Sequence, residues 1–156
     1  RWPKRIPRAG VRLRIPGTGW TASWVGETDI AYADMPGVNP DGFGCAELEE
    51  LWDVGVKPQE GGHRPGLKIL ELRGEERALT ILPRSDVGWS ASPWSERELA
   101  QAGHWEDLPH SNQTFVWLDA IQDGIGTRSC GPDARPEFGA RMNPFVIEFI
   151  VCVTDL

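Results

Sequence analysis

Apolar and polar positions alternate along much of this chain with the two-residue period of half-buried strands. In residues 9–15, Val11, Leu13 and Ile15 alternate with Arg12 and Arg14, which predicts a strand with a solvated basic face. A second strand is expected at 20–25, after Pro16-Gly17. Residues 67–73 and 78–83 read as strands around a turn at Gly74-Glu75, and 87–92 as another. The clearest runs are 114–121, with Phe115, Val116, Trp117 and Leu118, and 145–153, FVIEFIVCV, where Cys152 is expected to be a small core residue. One helix is predicted over 95–102, ending near Gly103. Ser95 can accept from the backbone three residues on while Glu98 reaches back.

Residues 26–66 are dominated by turn formers, including Met35-Pro36-Gly37 and Asn39-Pro40-Asp41-Gly42, with at most a turn or two of helix at 46–52. A stretch of that length without regular structure is a usual place for function. Short strands, wide loops and one small helix predict an all-β antiparallel sandwich. At 156 residues the chain is expected to form a single domain, and no internal repeat interrupts it.

Composition narrows the function classes. A net charge of -7 argues against nucleic acid, whose binding needs a basic stripe, and against anionic membrane surfaces. The 145–153 run is too short to cross a bilayer and contains Glu148. Three cysteines, Cys45, Cys130 and Cys152, are odd in number and lack C-x-x-C spacing, which fits a reducing, cytoplasmic setting. Eight Trp are many for this length; they fill a core or, for some, face sugar rings. No signal-peptide pattern is present, and a start at Arg1 instead of Met suggests part of a longer polypeptide.

The stretch 114–138 carries the most chemistry. Its strand breaks into Gly124-Ile125-Gly126 and then Ser129-Cys130-Gly131-Pro132. A rigid strand presenting a Gly/Ser/Cys loop is a common way to hold a site at a sheet rim. The glycines are no dinucleotide fingerprint, because a third glycine and a following helix are missing. His63, His104 and His110 lack metal-ligand spacing. Glu47, Glu49 and Glu50 read as a solvated acidic face, and nothing in the sequence positions a sugar between Asp119 and Asp123. Gln59, Glu60 and Arg64 are placed either to meet sugar hydroxyls or to cap their own loop.

Residues 119–132, DAIQDGIGTRSCGP, resemble the D-x-x-Q-x-G-x-G-T-x-S-C-G-P run near the end of glycoside hydrolase family two β-galactosidases. The likeness extends along the chain. Ile6-Pro7-Arg8-Ala9-Gly10 is similar to L-P-R-x-G, and Trp24-Val25-Gly26 to W-x-G. Residues 56–64, VKPQEGGHR, resemble V-x-P-Q-E-N-G-x-R, with Gly61 in place of the Asn. Ser90-Ala91-Ser92-Pro93-Trp94-Ser95 resembles S-A-S-H-Y-S with Pro93 for the His, and 98–108 resembles E-L-x-x-A-x-H-x-x-E-L with His104 at its His. The chain departs from G-P-x-E-x-Y-x-D-R: residues 27–35 keep Tyr32 and Asp34 and lose the Glu and the Arg.

The resemblance implies a galactose-mutarotase-like antiparallel supersandwich, of which this chain would be the C-terminal half. It implies part of an enzyme that hydrolyses terminal β-D-galactose residues from lactose-type substrates. That reaction needs two carboxyl groups about 5 Å apart across the glycosidic bond. In the family both lie on a central barrel domain, so this segment is expected to be non-catalytic and to wall the pocket. Ser129, Cys130 and Gly131 would then line the leaving-group side, or Cys130 would be a structural thiol. Gln59, Glu60, Arg64, His104, Asp119 and Gln122 would support the loops. Expected partners are a β-galactoside and the catalytic barrel, and a homo-oligomer is allowed. No cofactor is expected in this segment, although whole enzymes of the family often use Mg and Na ions bound elsewhere. The alternative is a free-standing, non-catalytic carbohydrate-binding or interaction module, or a degenerate remnant.

Overall fold

The computed structural model describes residues 6–32, 35, 38–52, 55–123 and 145–156. Among the described residues, eight strands run β1 (Arg8–Pro16), β2 (Thr21–Glu27), β3 (Asp41–Glu47), β4 (Ile69–Arg73), β5 (Arg77–Pro83), β6 (Gly88–Ser92), β7 (Gln113–Gln122) and β8 (Phe149–Asp155). One short helix, α1 (Glu96–Gln101), follows β6. The fold is all-β, and every ladder between these strands is antiparallel. A three-stranded sheet has the order β1-β7-β6 and a five-stranded sheet the order β3-β2-β4-β5-β8.

The two sheets bury a shared core. Ala22, Trp24, Leu70, Leu72 and Ile81 from the larger sheet meet Trp89, Ala91, Val116 and Leu118 from the smaller one. At the contact, the Trp24 and Trp89 rings pack edge to face with centroids 5.4 Å apart. Large buried side chains of this kind supply most of the favourable free energy, about 1.5–3 kcal/mol for each fully buried aliphatic or Phe side chain. Strand β7 lies between β1 and β6 and is buried from Thr114 to Asp119, consistent with its unbroken apolar run. In β1 the outward Arg12 and Arg14 alternate with Val11, Leu13 and Ile15, as the two-residue period predicts. Helix α1 starts at a capping box in which Ser95 and Glu98 satisfy one another's backbone N–H groups.

Two expectations need correction. The 26–66 stretch contains a full strand, β3, paired to β2 from Thr21↔Glu47 to Glu27↔Asp41. The last strand begins later than expected, at Phe149, and Cys152 on it is exposed instead of buried in the core. Residues 46–52 hold one turn of 3-10 helix, Leu48–Glu50, within the turn or two expected there. Among the described residues, no helix is long and apolar enough to cross a membrane.

Candidate functional site

The site gathers where β7 leaves the core. Its key group is Asp119, an acidic residue deep in the central strand of a sheet, a position that is costly unless the charge is answered. A register shift between Ala9 and Gly10 sets Gly10 opposite Asp119 on one side, and Gly88 stands opposite on the other. Both neighbours are glycines for steric reasons. A carbon added at Gly10 would fall 2.2 Å from the Leu118 carbonyl oxygen and 2.7 Å from Asp119 Oδ1. One added at Gly88 would fall 2.2 Å from Cε1 and 2.4 Å from Nε2 of the His63 imidazole.

His63 is held there by its chain neighbours. Arg64 and Trp89 exchange backbone hydrogen bonds at 2.8 Å in each direction, which lays the 62–67 segment along the β6 edge. Ala31 N–H donates to the His63 carbonyl and Leu67 N–H to that of Val87, completing the attachment. The Arg64 side chain is buried, donates to the carbonyls of Gly62 and Leu51, and lies over the rings of Trp24 and Trp89. It therefore bonds its own loop's backbone.

Four charged or ionisable groups then run in series. Glu60 meets Arg8 at 2.6 Å, Arg8 Nε lies 3.3 Å from Asp119 Oδ1, and His63 Nδ1 lies 3.6 Å from Asp119 Oδ2. The series passes from a half-exposed carboxylate to one whose side chain is only 1% exposed. Arg8 also lies over the Trp117 ring, so its guanidinium is fixed by a ring as well as by two carboxylates. Burial pushes the Glu60 carboxyl above its ordinary value; Arg8 opposes that shift, and Glu96 and Asp119 add to it. At Glu96, burial would also raise the carboxyl, but a backbone hydrogen bond and the Arg12 guanidinium at 2.6 Å outweigh it and hold the group below its ordinary value.

Two clefts open around this series. One, of about 330 Å³, is lined by Glu27, Met35, Asp86 and Asp119 together with Tyr32, His63 and Gln122. The other, of about 370 Å³, is lined by Arg8, Glu60, Glu96 and Ser90 and by the same Tyr32, His63 and Gln122. Tyr32 stacks on His63 with centroids 5.9 Å apart. These volumes lie at the small end of the range for ligand pockets, and their walls are unusually polar.

Of the residues singled out from sequence, the structure brings Asp119, Gln122 and Glu60 together at these clefts. Arg64 is one residue from His63 but serves the loop backbone. Gln59 packs its side-chain amide against Gly55, and His104 is exposed at the start of a 3-10 turn, its N–H accepted by Asp107. Neither lines the two clefts. Ser129, Cys130 and Gly131 lie outside the described residues. Sequence reasoning missed Arg8, Glu27, Tyr32, His63 and Asp86 as one assembly. The available signal was the glycine pair, Gly10 and Gly88, either side of a strand carrying an aspartate.

Comparison with known proteins shows the family of the chain. Residues 1–151 match the family described as Beta galactosidase small chain. The chain belongs to that family. A β-galactosidase of Arthrobacter sp. (strain B7) is 36% identical over 147 residues, which cover 90% of this chain and 14% of that protein. β-Galactosidases of Staphylococcus xylosus and Actinobacillus pleuropneumoniae are 25% and 29% identical over 146 and 145 residues, each covering 92% of this chain and 14% of the relative. This small-chain segment thus spans about one seventh of the length of the curated relatives it matches.

Proposed function

We propose that this chain is the non-catalytic, pocket-walling part of a β-galactosidase, working in a reducing compartment on terminal β-D-galactose residues. The observation that carries the reading is the match over residues 1–151 to a segment making up 14% of proteins named β-galactosidase. Chemistry on the described residues supports the non-catalytic half. Asp119, the most buried carboxylate of the site, already faces Arg8 and His63 and is shielded from solvent. A glycosidase nucleophile must instead stand open to the sugar, with an acid about 5 Å away.

Docking to a catalytic barrel is supported by β8, where Ile150, Val151 and Val153 are exposed on an outer strand of the larger sheet. Exposed apolar residues along a sheet edge favour burial against another protein surface. By family resemblance, Ser129, Cys130 and Gly131 line the leaving-group side of the pocket, with Asp119 and Gln122 at the foot of their loop. A thiol at that rim leaves it wider and less adhesive than an aromatic ring would. In the intact protein, Cys130→Trp is therefore expected to tighten glucose-type acceptor binding and raise transglycosylation. Unchanged acceptor affinity and product ratio would remove these residues from the rim.

A further inference from the structure

The smaller cleft holds more carboxyl groups than the bases beside them can pair. Glu27, Asp86 and Asp119 supply three carboxyl groups, and among the described lining residues there is no Lys or Arg and only His63 as a base. Both Asp119 oxygens and Oε2 of Glu27 are buried and accept no hydrogen bond. Arg8 pairs with Asp119 at 3.3 Å from the side of the other cleft and is shared with Glu60 at 2.6 Å, which leaves Glu27 and Asp86 without a cation among the described lining residues. Glu27 stands directly across the β2–β3 ladder from Asp41, so like charges are neighbours there. Burial, then Asp41, pushes the Glu27 carboxyl up, with His63 pulling the other way. Buried carboxylate oxygens without donors carry their full desolvation penalty, and a charged N–H donor relieves both deficits at once.

A metal ion is a poorer occupant. Among the described residues, no group of three or more His, Cys, Asp or Glu is arranged to hold one. Neutral hydroxyls would donate hydrogen bonds but leave the charge standing. Met35 adds an apolar wall suited to an alkyl stem. We propose that this cleft binds an organic cation, a guanidinium or ammonium group donating to Asp119 and Glu27 with its alkyl part along Met35. The cation is either a free molecule or the end of an Arg or Lys side chain of the same protein.

Thermal unfolding of the intact protein with agmatine, against sodium chloride at equal ionic strength, tests this and separates the two sources. A free ligand gives a saturable rise in Tm with agmatine. That rise should weaken at least tenfold in apparent affinity in Glu27→Gln and vanish in Met35→Arg, which supplies the cation in cis. A resident side chain gives no response to agmatine, yet Glu27→Gln then lowers Tm. The proposal is overturned if agmatine has no effect and Glu27→Gln leaves Tm unchanged or raises it. It is equally overturned if the agmatine response survives Glu27→Gln undiminished.

Discussion

A carbon added to Gly88 would fall 2.2 Å from Cε1 of His63, so the imidazole occupies the space a β6 side chain would need. That close approach sets the ring beside Asp119 and joins the 62–67 segment to the smaller sheet. Gly88→Ala must push the ring away or bend β6. Forced overpacking of this kind costs about 1–3 kcal/mol. Urea denaturation of the variant checks it, and an unchanged midpoint would mean that His63 is not fixed by this contact.

The Arg8–Asp119 pair predicts a non-additive pair of substitutions. Arg8→Met leaves the Asp119 carboxylate, 1% exposed, with His63 as its sole neighbouring base in the series. Removing one partner of a buried pair costs about 3–5 kcal/mol, and because Arg8 keeps 20% exposure the low end is expected. Adding Asp119→Leu should recover part of the loss, since no stranded charge remains. Strict additivity in a double-mutant cycle would show that the two groups do not interact.

At α1, both halves of the capping box are formed, with Glu98 N–H donating to Ser95 Oγ and Ser95 N–H to Glu98. Ser95→Ala should cost about 1 kcal/mol. The helix lies beside the aromatic cluster in which Trp94 and Trp105 each pack on Trp52, so near-ultraviolet circular dichroism should report any shift.

Acid should weaken the Arg12–Glu96 link in a defined direction. The folded Glu96 carboxyl lies below its ordinary value of 4.5, so its contribution is present above that value and is lost as pH falls through the folded one. Both side chains are about 41–42% exposed, which limits the contribution to about 1 kcal/mol or less. Stabilities of wild type and Glu96→Gln should differ near neutral pH and converge as the pH falls through the lowered folded value. A gap that widens in acid would reverse the assignment.

Much of the fold could be read from alternation. Strands β1, β2, β4, β5, β6 and β7 each carry an apolar face or an apolar run, and α1 carries its cap signature. Strand β3 was hidden because its sequence, DGFGCAE, puts glycine where an apolar residue would signal a strand. The structure gives the reason at Gly44, where an added carbon would fall 2.1 Å from the Trp24 ring; the large indole fills the space for both. Cys152 misled in the opposite sense. Its apolar neighbours suggested a core, but β8 lies at the edge of the sheet, with Val151 and Val153 exposed. Asp119 and Gln122 were legible through a motif, whereas Arg8 and His63 join them only because the register of β1 and the β6-edge bridge bring distant segments together.

The most direct measurement is release of nitrophenol from nitrophenyl β-D-galactoside, assayed on the purified 156-residue chain and on the intact protein that carries it. The account predicts turnover by the intact protein and none above buffer by the chain alone. Steady turnover by the chain, abolished by replacing one of its own carboxylates, would contradict it.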